Sequence, residues 1–375
     1  MRFEPFDMER LQSTWENQVA WNLSESGVHP LTVSELIDTP SLASDVMGLA
    51  LGYPQTNGTE ALRAAIADLY PGATPAHVQV TNGGAEANCV LLLRLVEPGD
   101  EIVFMTPNYM QAYGLARALG AAVRPWPLRE QDGRWRADVD ELRTLVTPKT
   151  RAILLCNPNN PTGARLDAAV LDEICRIAER VGAWVVDDEI YRGAEREADD
   201  TPTVWGRTER AIVTSGLSKA YGLPGLRIGW ITAPPALIED LWGVHDYTTI
   251  APGAINDRLA RVALAPERRT ALLRRTRTII RENYPLVRDW VDAHPGLSHV
   301  PPEAGAIVFV RYSQPIRSTD LVERLRTEQG VLIVPGDHFQ MDGYLRIGFG
   351  SDREHLTAGL TRTGDLLDSL AAHAR

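Results

Sequence analysis

Residues 215–229 read Ser215-Gly216-Leu217-Ser218-Lys219-Ala220-Tyr221-Gly222-Leu223-Pro224-Gly225-Leu226-Arg227-Ile228-Gly229. The lysine at the centre of this run is one of only two in the chain, the other being Lys149, although 38 side chains are cationic. Arginine thus serves almost wherever a positive charge suffices, and Lys219 asks for a chemical reason. A primary amine condenses with an aldehyde to a Schiff base, whereas a guanidinium that keeps its proton does not.

The bulk numbers limit what surrounds that lysine. With 375 residues, 44% hydrophobic and 23% charged, the chain suits one large domain carrying a smaller one. A net charge of -11 argues against nucleic acid or an anionic membrane surface as partner, since either would repel it. Cys89, Cys156 and Cys175 lack metal-type spacing and sit in apolar or helical sequence, which reads as buried free thiols in a reducing compartment. The first residues form no signal-peptide-like apolar run and no stretch reaches 18 apolar residues, so the expected location is cytoplasmic.

Outward from Lys219, short apolar runs alternate with helical patterns, the signature of a parallel sheet with crossover helices. The expected strands are 78–80, 101–105, 121–125, 151–155, 183–187, 211–214 and 227–231, and most are continuously apolar, as strands covered on both faces should be. Helical periodicity marks 58–69, 85–96, 110–119 and 168–181, and an arginine-rich helical stretch runs from Pro252 to about Ala293. Strands at 306–310, 331–334 and 344–348, with a helix at 318–328, then make an α+β unit.

Each polar motif follows a strand, where open α/β sheets place their ligand crevice. Pro158-Asn159-Asn160-Pro161-Thr162-Gly163 follows one strand and Asp187-Asp188-Glu189-Ile190-Tyr191 the next. The acidic run lacks a histidine or a second carboxylate cluster, so no metal is expected. Thr81-Asn82-Gly83-Gly84-Ala85-Glu86 joins a strand to a helix whose N-terminal amides suit a phosphate. Tyr109, in Thr106-Pro107-Asn108-Tyr109, lies some twenty residues further on, and Arg346 lies in the strand pattern Tyr344-Leu345-Arg346-Ile347-Gly348.

Together these motifs resemble the class I and II aminotransferases, the fold-type I enzymes that use pyridoxal 5'-phosphate, over roughly residues 20 to 350. The resemblance implies an α/β fold with a large domain around a mostly parallel seven-stranded sheet, at about 48–265. A smaller α+β domain would combine residues 1–47 with 266–375. It implies that Lys219 carries the cofactor as a Schiff base, that Asp188 faces its ring nitrogen and that Tyr191 and Asn160 bind its phenolic oxygen. Gly84, Ala85, Glu86 and Arg227 would hold the phosphate, Tyr109 would stack on the ring, and Tyr53, in Gly52-Tyr53-Pro54, would reach the phosphate of the neighbouring subunit in a homodimer with shared sites. Arg346 would clamp the substrate α-carboxylate, and Asn160 would also contact the substrate. Many relatives carry serine where this chain has Gly216, so the phosphate-binding hydroxyl falls to Ser215 or Ser218.

The implied reaction moves an amino group from an amino acid to a 2-oxo acid, with Lys219 as the base that shuttles the α-proton. One segment departs from the common pattern: Asn22-Leu23-Ser24-Glu25-Ser26-Gly27-Val28-His29-Pro30. Gly27 fits the family glycine near the substrate, while Glu25 suits a cationic side chain such as a guanidinium and His29 an extra acid or base. This segment and 245–249 resemble the capreomycidine synthase branch, which implies the alternative of elimination and cyclisation, or oxidation, of arginine or a hydroxyarginine.

Overall fold

In the computed structural model, which describes residues 2–197 and 200–373, eight strands form one sheet. Their spatial order is Val78–Thr81, Gly229–Thr232, Ala211–Gly216, Trp184–Asp188, Thr150–Cys156, Glu101–Thr106, Ala122–Gln131 and Arg134–Ala137. The five strands from Ala211–Gly216 to Ala122–Gln131 run parallel, and Gly229–Thr232 is antiparallel to both of its neighbours. The seven expected strands are therefore joined by an eighth, a short antiparallel return of which Trp135 alone is buried.

The apolar runs alternate between two hydrophobic layers. Ile102, Phe104, Leu154 and Val186 pack beneath the helices Gly84–Leu95 and Pro235–His245, while Val103, Met105, Ile153 and Val185 face the opposite layer. Period-two geometry carries this alternation to the strand end, so Asp188 emerges on the face of the Gly84–Leu95 helix and Asp187 on the other. Several boundaries differ from the sequence reading: the strand expected at 121–125 runs over Ala122–Gln131, and two further differences centre on prolines. Pro224 starts a 3-10 turn, and Arg227 follows it in the left-handed conformation with φ of 46°, so the strand begins at Gly229 rather than Arg227. The arginine-rich stretch breaks at Ala265–Pro266 into the helices Ala254–Leu264 and Pro266–Ala293, with Pro266, which lacks an N–H, at the first position of the second, a helix that also accommodates Pro285 in its interior.

A four-stranded antiparallel sheet of Leu297–His299, Ile307–Tyr312, Tyr344–Gly348 and Val334–Pro335 forms the C-terminal unit. The single strand expected at 331–334 is divided: Val331–Leu332 pairs in parallel with Trp21–Asn22, and Val334–Pro335 joins the larger sheet. The expected helix at 318–328 is α-helical over Ser318–Arg324 and widens to a π turn over Leu325–Gln329.

The N-terminal segment is sewn to this unit. Leu23 N–H donates to Leu332 O at 2.8 Å, Gly348 N–H to Leu23 O at 2.7 Å, and His29 N–H to Gly350 O at 2.8 Å. A Cβ on Gly348 would lie 1.8 Å from Glu25 O, so only glycine lets the two backbones touch.

Candidate active site

A cavity of about 330 Å³ opens at the C-terminal ends of the parallel strands, bounded by the N-terminal helix Asp7–Trp15, the 24–26 segment and Arg346 of the C-terminal sheet. Glu25, Gly84, Ala85, Tyr109, Asn160, Asp188, Tyr191, Ser218, Lys219, Arg227 and Arg346 all line it, drawn from across the chain. Those of the large sheet sit in the turns at its strand ends, which is why their motifs followed the apolar runs, whereas Arg346 projects from mid-strand and Glu25 from the N-terminal segment.

Asp188 ends its strand with a carboxylate fixed by neutral donors. Asn88 Nδ2 donates to one oxygen at 3.1 Å and the Ile190 N–H to the other, also at 3.1 Å. Burial pushes its pKa up, and those hydrogen bonds offset only part of the shift. Among the described residues no cation pairs with it. A half-buried carboxylate oriented but not neutralised suits a cationic ring nitrogen.

At the opposite side Arg346 is 1% exposed. Its Nη1 donates to Asn160 Oδ1 at 3.1 Å, its Nη2 to Ser24 O, and its Nε has no partner. The guanidinium also lies over the Phe339 ring, 5.5 Å from the centroid. Burial lowers its pKa, and no carboxylate salt-bridges it among the described residues. That is the state of a cation awaiting an anionic ligand.

The turn between strand and helix at Asn82–Gly84 supplies the third component. Gly83 has φ of 94°, and a Cβ there would meet Arg227 Nη2 at 2.3 Å. A Cβ on Gly229 would lie 2.4 Å from Gly83 C and 2.5 Å from Gly84 N, so glycine alone lets that strand reach the turn. The Gly84–Leu95 helix thus presents its first amides to the cavity with Arg227 beside them, a fitting cradle for a phosphate. With Asp188 and Lys219 facing the same space, these residues fit pyridoxal 5'-phosphate.

Lys219 Nζ donates to Glu25 Oε1 at 2.6 Å. Tyr191 donates to Ser26 Oγ at 2.8 Å and Tyr109 to Glu9 Oε1 at 2.9 Å. Gly27 sits against the lysine stem, where a Cβ would lie 3.5 Å from Lys219 Cδ. The peptide bond between Asn160 and Pro161 is cis.

Other expected residues lie elsewhere. Ser215 points behind the sheet end and donates to Glu189 O at 3.2 Å, leaving Ser218 as the hydroxyl of this pair on the cavity. Gly216 has no room for serine, since a Cβ would stand 2.8 Å from Ile228 O. The Glu86 carboxylate turns away to Asn82 N–H, Thr249 Oγ1 and His245. Burial raises its pKa, but the hydrogen bonds from His245, Thr248, Asn82 and Thr249 prevail and hold it at about 2. His29 is exposed and held by Arg275, whose Nη2 lies 2.9 Å from its Nδ1 and 2.8 Å from its carbonyl oxygen. Tyr53 is 84% exposed and does not border its own chain's cavity.

Sequence reasoning missed Asn88, which fixes Asp188, and the wall made by Met8, Glu9, Gln12 and Glu16. The signal for that wall was a weak amphipathic pattern, with Met8 and Gln12 buried four residues apart. Burial and the nearby Glu25 and Glu9 push the Glu16 carboxyl above its ordinary value.

The model of the family described as aminotransferase class I and II matches residues 32–362. Capreomycidine synthase of Streptomyces vinaceus is 36% identical over 96% of this chain and 92% of its own length. Arginine–pyruvate transaminase of Pseudomonas aeruginosa is 29% identical over 83% of this chain and 81% of its own. A crystal structure of a PLP-dependent aminotransferase from Streptococcus suis superposes with a TM-score of 0.93 at 34% identity, covering 99% of each chain.

Proposed function

The chain belongs to the class I and II aminotransferases, enzymes dependent on pyridoxal 5'-phosphate, and on that footing we propose that it moves the amino group of an amino acid to a 2-oxo acid. When bound, the cofactor supplies an aldehyde carbon that joins amines and a ring that withdraws electrons from the neighbouring α-carbon. Lys219 Nζ is the amine that holds it and, once free, the base that takes the α-proton. Asp188 keeps a proton on the ring nitrogen, helped by Asn88. Tyr191 and Asn160 orient the phenolic side, and Gly84, Ala85, Ser218 and Arg227 hold the phosphate. Arg346 fixes the substrate carboxylate, so the α-hydrogen is aimed rather than free to rotate.

The observation that carries this reading is the sharing of one cavity by Lys219, Asp188 and Arg346. The test is to add amino acids singly to the cofactor-loaded protein and follow visible absorbance together with 2-oxo acid release. Release of a stoichiometric 2-oxo acid supports transamination, and its absence with every amino acid overturns it.

A second reading has its own support. Glu9 and Glu16 face the same cavity beyond the Glu25–Lys219 pair, and two further carboxylates around one ligand space favour a cationic side chain. The likeness to capreomycidine synthase and to an arginine transaminase agrees with an arginine-type substrate. Release of ammonia or uptake of oxygen with arginine or hydroxyarginine, in place of 2-oxo acid formation, would select elimination and cyclisation, or oxidation.

The working unit in this reading is a homodimer. Met47, Leu51, Tyr53 and Tyr247 are 86%, 81%, 84% and 92% exposed. A second copy covering them would bring Tyr53 to the neighbouring phosphate site. Sedimentation of the purified protein as a monomer at micromolar concentration would refute it.

A further inference from the structure

We propose that Glu25 is a positioning residue for Lys219: whenever that amine is not joined to the cofactor, the carboxylate holds it as an ammonium against the N-terminal segment and withholds it as a base. The proposal rests on the reading of Lys219 as the cofactor-joining amine.

The contact is built at both ends. Glu25 Oε1, which accepts from Lys219 at 2.6 Å, also accepts the Ser26 and Gly27 N–H groups at 2.8 Å each. A carboxylate gripped by two main-chain donors does not swing away at the cost of one rotamer. Its backbone is fixed in turn by the contact of Gly348 with Glu25 O, and the lysine stem rests on Gly27. Glu25 thus reads less as a free receptor for a substrate side chain than as the resident counter-ion of Lys219.

The other charges around Lys219 do not offer this service. Tyr191 lies beside it and is already donating to Ser26. Arg346, from the C-terminal sheet, disfavours a second cation, and Glu16, Glu9 and Asp188 face the cavity without a hydrogen bond to Nζ among the described residues. Burial alone would lower the lysine pKa, yet the charge and hydrogen bond of Glu25, with Tyr191 adding to them, leave it above its ordinary value. Burial likewise raises Glu25, and Lys219 together with the Gly27 N–H and Arg346 outweighs it, bringing the carboxyl down to about 2. Both shifts have the sign of a charged pair.

The chemical consequence is direct. An ammonium takes no α-proton and attacks no aldehyde until it gives up one proton, so a firmly held pair slows both events. Glu25 thereby bears on the type of reaction, because proton return by Lys219 is the step that completes transamination.

The scarcity of lysine makes the test clean. Cofactor-free full-length protein is acetylated with dilute acetic anhydride across a pH series, and Lys219 and Lys149 are quantified separately by mass spectrometry. Lys149, which is exposed, serves as the dose reference. In the unmodified sequence half-labelling of Lys219 is expected above about pH 10.4, the ordinary lysine value. Glu25→Gln keeps an oxygen for the Ser26 and Gly27 N–H groups but removes the charge, and should move the Lys219 profile down by about one to three pH units. At a fixed neutral pH Lys219 labelling then rises about tenfold or more, with Lys149 unchanged. A profile unmoved by Glu25→Gln overturns the proposal, and so does a native Lys219 that titrates below the ordinary value. If the variant fails to fold, the native profile decides alone. No cofactor or substrate enters this measurement, so its failure is distinguishable from failure of the transamination reading.

Discussion

Asn88 grips Asp188 through its amide nitrogen at 3.1 Å while its own oxygen accepts from Thr214 Oγ1 at 2.7 Å. The second bond fixes which way the amide points, so the donor always faces the carboxylate. Asn88→Ala removes a charge-assisted donor from a half-buried acid, a loss of about 1–3 kcal/mol. Fluorescence titration of the cofactor-free protein should accordingly show pyridoxal phosphate binding weakened about 10- to 100-fold, with Asn88→Asp weaker still.

Lys219→Arg keeps a cation opposite Glu25 but removes the primary amine. The variant should fold with a melting temperature close to that of the parent, yet mass spectrometry should find no covalent cofactor adduct after borohydride reduction. A reduced adduct on the active-site peptide of the variant equal to that of the parent would contradict the assigned role.

Arg346→Gln leaves a hydrogen-bonding group of lesser reach and no charge in a site that is 1% exposed. Losing one partner of a buried charged pair costs about 2–5 kcal/mol. Steady-state kinetics should show kcat/KM for amino acids reduced by about two orders of magnitude or more, chiefly through KM.

Gly229→Ala places a methyl group 2.4 Å from the Gly83 carbonyl carbon. Backbone cannot yield as a side-chain tip does, and overpacking of this kind costs about 1–3 kcal/mol. Thermal unfolding should report the loss, and phosphate affinity should fall with it because the displaced turn carries the cradle.

Glu189, on the far side of the sheet end from the cavity, has an Oε2 with no hydrogen bond, its nearest charge being Arg192 Nη1 at 3.7 Å. Burial lifts its pKa to about 7, with Arg192, Thr203 and Val204 offsetting part of the rise and Asp188 adding to it. The folded state therefore holds this proton more tightly than the unfolded chain, and stability falls as pH rises from the ordinary carboxyl value through 7. Asp187, raised by burial with Glu189 and Asp188 adding to it, contributes a dependence of the same sign. Urea unfolding should therefore show stability falling above the ordinary carboxyl range, and Glu189→Gln should make that fall shallower without abolishing it.

Doubly covered strands announce themselves, which is why the parallel strands and the motifs at their ends were legible in the sequence. The Arg134–Ala137 return was not, because a four-residue edge with a single buried side chain carries no periodic signal. The division at Ile333 was hidden for the opposite reason, since a continuous apolar run gives no sign of where a strand changes sheets. Ser215 and Ser218 were equivalent in composition, and strand direction separated them. Glu25 was visible as an unusual charge, but its partner stands 194 residues away and only the packing of the N-terminal segment on Gly348 brings them together. His29 was equally visible, and the arginine-rich helix binds it instead.

The backbone seam along Leu23, Glu25 and Gly348 has a mechanical meaning. Arg346 and Glu25 ride on the same stitched body, so any hinge movement that swings the arginine toward an arriving carboxylate must drag the lysine's counter-ion along the same arc. Grasping the substrate and adjusting the amine are then not two adjustments but a single stroke.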